Sequence, residues 1–320
     1  MSSALRRLPP LATTGVGSLP FRRAREAAEQ AVTAYELPFC PQLPRLSGDM
    51  LTEWLGADPG RCGWSPDRDR QLPAAWDAFA LALSARPPEH RLVKLQVTGP
   101  VTLAVALERA AGRVGRGEAV AELATQVALW LSASASLQAS WCREELGLDV
   151  LLIADEPGLH QAALATDHAH VWDSLRHAAS AWGLHVCCAV PWSLIAAASP
   201  DVLSFDLLGF PVTAAAAPAL AAIVQRGGRI AWGAVDGAQR ADPRRALTRI
   251  EHAWAALGAH GVDELLPGSL VSAPCGTGGR SPQDERRIAL AVAQVAAIAR
   301  GEPVPASPAA TTVAVVQDDS

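Results

Sequence analysis

The stretch AWGLHVCCAVPW, residues 181–192, decides how the rest of the chain is interpreted. It is a short apolar run that ends in a histidine, one spacer and a cysteine. Side chains two residues apart in a β-strand point to the same face. The pattern therefore places the imidazole of His185 beside the thiol of Cys187. One more thiolate at the same point would complete three ligands of the kind that zinc favours, with a fourth position left for water or substrate.

The best candidate for that third ligand is Cys275, in the stretch SLVSAPCGTGG, which also ends an apolar run and is followed by turn-forming glycines. A plainer interpretation stands beside it, because a lone His-x-Cys pair is more often a core histidine next to a packed cysteine. Cys40, Cys142 and Cys188 fit the role of small hydrophobic residues. Cys62 fits the same role or that of an exposed loop thiol.

Composition narrows the class of protein. The chain has 320 residues, of which 50% are hydrophobic and 18% charged, and its net charge is -5. Lys94 is its only lysine and no basic run is present, so we expect no nucleic-acid partner. No apolar run is long enough to span a bilayer, which predicts a cytoplasmic protein without a membrane partner. Six cysteines, two of them adjacent, do not form the pattern of a disulfide framework.

The alternation of short apolar runs with longer segments of helical period is typical of βα units and a parallel sheet. It predicts an α/β fold, namely a (β/α)8 TIM barrel in a single domain. Helices are expected over residues 22–35, 118–146 and 282–300, the last behind an N-cap at Ser281. The eight candidate strands cover residues 13–17, 37–41, 92–97, 150–154, 185–189, 202–205, 229–233 and 270–273.

The same pattern gives boundaries. Residues 1–12 are an N-terminal extension, residues 13–300 the barrel, and residues 301–320 a tail that we expect to be disordered or loosely docked. Residues 56–70, rich in Gly, Pro and charge, are expected to form an excursion over one barrel end after the second strand.

Polar residues recur where the predicted strands end. In such barrels the chemistry lies at these positions, and polar groups that end buried strands cost free energy unless they are paired or used. Besides the three possible metal ligands, the strand-end residues are Ser18, Gln42, Thr98, Asp155, Glu156, Asp206 and Asp236.

Eight segments of this chain resemble a known family, the C-terminal catalytic domain of cobalamin-independent methionine synthase and its short archaeal-type relatives, in the superfamily shared with uroporphyrinogen decarboxylase. They run in the family's order from residue 13 to about residue 300. HVC and APCG, at the ends of the fifth and eighth strands, are specific motifs, whereas TGP and DEP alone are weak. The segments are TTGVGSLP, SGDMLTEWLG, VKLQVTGPVTLA, IADEPGL, HVC, LSFDL, AWGAVDG and SAPCGTG.

The resemblance implies a bound Zn²⁺ held by His185, Cys187 and Cys275. Family members place a glutamate at the end of the sixth strand as a further ligand, and Asp206 stands there in this chain. Aspartate is one methylene shorter than glutamate.

The resemblance also implies substrate contacts. Asp155 matches the carboxylate that binds the amino group of homocysteine, and Glu156 is its neighbour in the motif. Gly17 and Ser18 match the first-strand motif that binds the amino acid's carboxylate. Where the family has a second carboxylate after the second strand, this chain has Gln42.

The methyl donor is less closely specified. The long enzymes carry a histidine after the seventh-strand aspartate, whereas Asp236 is followed here by Gly237 and an alanine. Asp236 is accordingly a candidate proton donor or a contact for the donor's heterocycle. The donor itself is expected to be 5-methyltetrahydrofolate or a separate methylcorrinoid protein.

Together these residues predict an S-methyltransferase of methionine biosynthesis that methylates a zinc-bound thiolate, with homocysteine as the thiol. Zinc replaces the thiol proton and holds the sulfur as a nucleophile. Two alternatives stay open: alkyl transfer to another small thiol of the coenzyme M type, and a zinc-binding relative without catalysis that serves as a binding protein. A porphyrinogen decarboxylase is disfavoured, because the chain offers no convincing arginine-lined pocket.

Overall fold

The computed structural model describes residues 3–69, 71–237 and 242–306. Within this part of the chain the backbone forms a seven-stranded parallel sheet in the order β1-β7-β6-β5-β4-β3-β2. The sheet curls into a TIM-barrel-like half barrel, which confirms the predicted α/β class and the parallel strands. The strands are β1 (Ala12–Thr13), β2 (Leu92–Thr98), β3 (Asp149–Asp155), β4 (Ala181–Val186), β5 (Val202–Asp206), β6 (Arg229–Gly233) and β7 (Ser269–Ser272).

The predicted second strand, over residues 37–41, is not part of the sheet, so the prediction of a full eight-stranded barrel is wrong. This segment lies between β1 and β2 but makes only isolated bridges, one of which pairs Phe39 with Lys94. The backbone nitrogen of Lys94 donates to Pro38 at 2.8 Å, and that of Cys40 donates to Lys94 at 3.1 Å. Pro38 and Pro41 have no N–H group, so the segment cannot complete a ladder of hydrogen bonds.

Helices cover the outside of the sheet. The helices predicted over residues 118–146 and 282–300 are confirmed at those bounds, the second with a capping box in which the Oγ of Ser281 accepts from the backbone nitrogen of Asp284 at 3.1 Å. The α-helices are α1 (Ala24–Thr33), α2 (Pro44–Ser47), α3 (Met50–Leu55), α4 (Trp76–Ala85), α5 (Pro100–Ala110), α6 (Glu118–Leu146), α7 (Leu159–Ala162), α8 (Asp173–Arg176), α9 (Trp192–Ala198), α10 (Ala217–Gln225), α11 (Pro243–Gly258) and α12 (Pro282–Arg300).

Helix α6 is, among the described residues, the helix with the length and apolar composition needed to cross a membrane. Half of its most apolar window is buried inside the protein. That burial is typical of a core helix that packs on its neighbours.

The N-terminal ends of the strands are closed by the first residues of the chain. A 3₁₀-helix, Ser3–Arg7, buries Leu5 and the following Leu8 against side chains that point into the barrel, such as Leu151 and Leu270. Arg229 fixes this plug, because its guanidinium donates to the backbone oxygens of Leu8 and Pro9, each at 2.9 Å. The described part of the predicted N-terminal extension is therefore integral to the barrel interior.

The predicted excursion over residues 56–70 lies between α3 and α4, and its described part has irregular structure. Between α3 and α4 the described residues form no strand or helix, and Trp130 of α6 holds them by donating from Nε1 to the backbone oxygen of Arg68 at 3.1 Å. Most of the predicted tail, residues 307–320, lies outside the described residues.

Candidate metal centre and substrate cavity

The register of the sheet brings polar strand-end residues together. Thr98 at the end of β2 is paired with Asp155 at the end of β3, Asp155 with His185 in β4, and His185 with Ser204 in β5. Strand β4 begins four residues earlier than predicted and ends at Val186. Cys187 therefore follows directly after the strand, at the mouth of the half barrel.

His185, Cys187 and Cys275 form a cluster in which one ligand atom from each residue lies within 4.8 Å of the others. In a tetrahedral site with the usual zinc bond lengths, such atoms are about 3.5–3.8 Å apart. His185 is buried, Cys187 is half-buried and Cys275 is exposed at the mouth. The three predicted ligands from two distant parts of the chain are thus brought to one point.

The imidazole of His185 is oriented as a metal ligand requires. Its Nδ1 lies 2.9 Å from the hydroxyl of Ser204, which fixes the ring, whereas its buried Nε2 has no hydrogen-bond partner among the described residues. A ring nitrogen that ligates a metal needs a free lone pair, and its other nitrogen usually holds a partner of this kind. The donor set and its geometry fit a zinc ion.

The two thiols of the cluster interact through one proton. A hydrogen bond with Cys187 lowers the pKa of Cys275, and the interaction with the imidazole of His185 lowers it further. The same hydrogen bond, together with burial, raises the pKa of Cys187. Cys275 is therefore the sulfur that carries the negative charge first, as a metal-binding thiolate must.

Asp155 places a carboxylate beside the cluster. Its Oδ1 is buried without a hydrogen-bond partner among the described residues. Burial raises the pKa of Asp155 to about 6, although His185 and Lys94 oppose the shift. A buried oxygen of this kind is costly unless a ligand satisfies it.

Asp206, the expected further ligand, is not part of the cluster. Its Oδ1 accepts from the backbone nitrogens of Leu208 and Gly209, each at 2.9 Å, and so stabilises the turn after β5. The short aspartate side chain is held by its own turn.

The cluster opens into a cavity of about 250 Å³. Its described lining contains carboxylate, amide and hydroxyl groups but no arginine or lysine side chain. Besides the cluster, the polar and charged lining residues are Ser18, Gln42, Asp49, Glu53, Gln96, Thr98 and Asp155. A pocket of this composition favours a small ligand that bears a positive charge.

The predicted substrate-binding loop after β1 faces this cavity. Ser18 and Gln42 line it, whereas Gly17 contributes backbone, with its oxygen accepting from the nitrogen of Gln42 at 3.1 Å. The loop is tied to the segment of Cys275, since the nitrogen of Thr277 donates to the backbone oxygen of Ser18 at 2.8 Å. Gly276 makes this approach possible, because a Cβ there would lie 2.0 Å from the Oγ of Ser18.

Glu156 does not reach the cavity. It is fully buried, and its carboxylate accepts from the backbone nitrogens of Val101 and Thr102, the hydroxyl of Thr102 and the indole nitrogen of Trp172 at 2.7–3.1 Å. Burial raises the pKa of Glu156 to about 7 against these bonds. The residue holds the start of α5, where a carboxylate also benefits from the helix dipole.

Asp236 lies apart from the cluster. It lines a different cavity, of about 390 Å³, together with residues after β5 and on α11 such as Leu208, Arg249 and His252. The structure therefore does not bring this predicted catalytic residue to the predicted ligands.

Among the residues that the sequence did not indicate, Ser204 and Glu53 matter most for the site. Ser204 supports His185, and the alternation of side chains along β5 was a usable signal for it, because Ser204 and Asp206 share a face. Glu53 lines the cavity from α3, and no strand-end rule points to a residue on a helix.

The sequence matches no protein-family model and no curated protein. Solved structures do match in fold. A B12-independent methionine synthase from Shewanella sp. W3-18-1, in complex with selenomethionine, superposes with a TM-score of 0.64 at 15% identity, over 91% of this chain and 98% of that one. A methyltransferase from Methanosarcina mazei superposes with a TM-score of 0.56 at 14% identity, over 91% and 96% of the two chains. At these identities the likeness is one of fold.

Proposed function

We propose that this chain is a zinc-dependent methyltransferase that methylates the sulfur of a small thiol, with homocysteine as acceptor and methionine as product. The observation that carries the proposal is the cluster of His185, Cys187 and Cys275, whose ligand atoms lie within 4.8 Å of one another beside a small cavity. The unpartnered Nε2 of His185 gives this cluster a reason to bind an ion.

The fold supports the same proposal. Two proteins of this fold are described as a B12-independent methionine synthase and as a methyltransferase. The first was solved with selenomethionine, an amino acid that carries an ammonium group.

In the proposed reaction, the bond between the acceptor sulfur and the methyl carbon forms as the bond between methyl and donor breaks, and the thiol proton leaves to the demethylated donor or to solvent. His185, Cys187 and Cys275 would hold the zinc ion, which supplies the acceptor sulfur as a thiolate at neutral pH. Ser204 keeps the imidazole of His185 in the ligating orientation.

Asp155 would position the acceptor by pairing its unpartnered Oδ1 with the substrate ammonium. Ser18 and the backbone at Gly17 would receive the substrate carboxylate on the opposite loop. Holding both ends of a small acceptor fixes its sulfur for in-line attack, which is the main contribution a protein makes to such a transfer.

The charge of the cavity separates homocysteine from a thiol of the coenzyme M type. Both thiols carry an anionic group, and the described lining offers neither of them an arginine or a lysine. They differ in the ammonium group, which mercaptoethanesulfonate lacks. An ammonium, by contrast, offsets the cost of the buried carboxylate of Asp155. The cavity therefore favours the amino-acid thiol.

The donor is proposed as 5-methyltetrahydrofolate or a methylcorrinoid protein. In either case Asp236 would act from the cavity after β6 rather than at the metal ligands, as a contact for the donor or a source of its proton.

Metal analysis tests the first part of the proposal. Protein purified anaerobically should contain one zinc per chain, and homocysteine should change the zinc-edge X-ray absorption whereas mercaptoethanesulfonate should not. A protein that binds zinc but no thiol would favour the binding-protein alternative.

Methyl transfer tests the second part. Zinc-loaded protein is incubated with homocysteine and either labelled methyltetrahydrofolate or labelled methylcobalamin, and methionine is quantified. Formation of labelled methionine from one donor supports the proposal and identifies the donor class, whereas transfer to mercaptoethanesulfonate alone would contradict the choice of acceptor.

A further inference from the structure

Glu53 is a second buried carboxylate in the candidate cavity. It lies on the short helix α3, is 8% exposed, and lines the cavity together with Asp155 and the two ligand cysteines. Nothing in the strand pattern assigns it a role.

The position of α3 is fixed by the end of the sheet. The hydroxyl of Thr98 donates to the backbone oxygen of Met50 at 2.8 Å, and Thr98 is the register partner of Asp155. Asp49 caps the helix, with its Oδ1 accepting from the nitrogen of Thr52 at 2.8 Å. The first turn of α3 is therefore held at the strand end that carries Asp155.

The carboxylate of Glu53 is only partly satisfied. Its Oε1 accepts from the hydroxyl of Ser47 at 3.1 Å and from the backbone nitrogen of Ala74 at 3.4 Å. Within the described residues we find no hydrogen bond to Oε2 and no ion pair of Glu53. Burial raises the pKa of Glu53 to about 7, as expected for a carboxylate without a cation nearby.

Gln42 is a weaker candidate than Glu53 for binding a cationic group of the ligand. It is neutral, and its Nε2 already donates to the backbone oxygen of Gly48 at 3.2 Å. The cavity thus contains two buried carboxylates, Glu53 and Asp155, in a described lining without arginine or lysine. Buried Lys94 offsets part of the charge of Asp155, whereas no such cation of the described chain acts on Glu53, so a bound cation would recover most free energy at Glu53.

We propose that Glu53 binds the ammonium group of the acceptor together with Asp155, and that it makes the site selective for thiols that carry an amino group. This inference rests on the proposed function. Glu53 then supplies from a helix the second negative charge that Gln42 cannot supply from the strand end.

The test compares two thiols that differ by the amino group alone, homocysteine and 4-mercaptobutanoate. Their affinities for the zinc-loaded protein are measured by isothermal titration calorimetry in the wild type and in Glu53→Gln. A hydrogen bond to a charged group contributes enough that the preference for homocysteine should fall by about 10- to 100-fold in the variant. The affinity for 4-mercaptobutanoate and the zinc content should stay the same.

Two further variants sharpen the result. Glu53→Asp keeps the charge and should retain part of the preference. Asp77→Asn removes an exposed carboxylate from the first turn of α4, outside the cavity, so its preference should stay close to the wild type. Melting temperatures are recorded for all variants.

The outcomes separate this inference from the function on which it rests. An equal loss of affinity for both thiols in Glu53→Gln, an unchanged preference, or an equal effect of Asp77→Asn would overturn the role of Glu53 alone. A wild-type protein that binds zinc but neither thiol would overturn the proposed function as well.

Discussion

The two ends of the half barrel treat buried polar groups in opposite ways. At the N-terminal end of the strands, the guanidinium of Arg229 is buried but donates to the backbone oxygens of Leu8 and Pro9. At the C-terminal end, the Nε2 of His185 and the Oδ1 of Asp155 are buried without partners among the described residues. One end is closed by its own chain and the other is left for a ligand.

This difference teaches how a single sheet separates stability from function. At the closed end, the N-terminal plug supplies the hydrogen-bond partners of the buried polar groups. Substitutions that remove these hydrogen bonds should therefore affect folding. Partners at the mouth would come from an ion and a substrate, so changes there should affect binding more than folding.

The largest effect is expected for Cys275→Ser. Loss of one of three protein ligands should lower zinc affinity by more than the roughly 10- to 100-fold typical of outer partners. Zinc per chain is measured by mass spectrometry after dialysis against a weak chelator. Cys188→Ser is the matched control, since Cys188 is also a mouth thiol but packs 3.7 Å from the backbone oxygen of Glu156. Equal loss of zinc in both variants would contradict the assignment.

The next effect should appear at the closed end, in Arg229→Met. The backbone oxygens of Leu8 and Pro9 would lose their donor, and we expect the free energy of unfolding to fall by about 2–3 kcal/mol. Urea unfolding measures the change. Arg226→Met, at an exposed position, should change stability by less than about 0.5 kcal/mol.

Zinc content gives the second half of that test. Arg229→Met should keep the wild-type zinc stoichiometry because the plug is at the opposite end from His185. A variant that loses zinc while it remains folded would break the division between the two ends.

A smaller effect is expected for Ser204→Ala. The hydroxyl that lies 2.9 Å from Nδ1 of His185 would be removed, which frees the ring to rotate. We expect zinc affinity to fall about tenfold. Competition with a chromogenic chelator gives the affinity, and Ser204→Thr, which keeps a hydroxyl, should recover most of it.

How much of this could be predicted from the sequence differs between fold and site. The period of the strands and helices was sufficient for a parallel α/β sheet, and the cap at Ser281 gave the start of α12. Apolar character alone wrongly predicted a second strand over residues 37–41, because Pro38 and Pro41 remove the donors that a ladder needs. The two prolines inside this short segment were the sequence feature that argued against a strand.

At the site, local geometry accounts for the part of the arrangement that the sequence indicates. His185 and Cys187 share a face because they are two residues apart on an extended chain. Asp206 lies outside the cluster because its carboxylate accepts hydrogen bonds from the turn that follows it. The sequence pattern could not identify Glu53 as a site residue, because its position depends on the tertiary hydrogen bond between Thr98 and Met50.

The smallest effect concerns the pH dependence of stability. The folded protein holds the Glu53 proton up to a pKa of about 7, whereas the unfolded chain releases it near 4.5. Between these values the folded state binds more protons, so stability should fall as the pH rises, and the full loss should be present above pH 7. In Glu53→Gln this contribution is absent. From pH 5 to 7.5 the wild type should lose about 1–2 kcal/mol more than the variant in urea unfolding.

Arg229→Met provides the comparison for this last experiment. It should show the wild-type dependence on pH, since its defect is at the end where the polar groups are already paired. If Glu53→Gln and the wild type lose the same stability between pH 5 and 7.5, Glu53 is ionised with little cost in the folded protein. Solvent and the donors at Ser47 and Ala74 would then satisfy the carboxylate, and the cavity would have no need of a cationic ligand at that side.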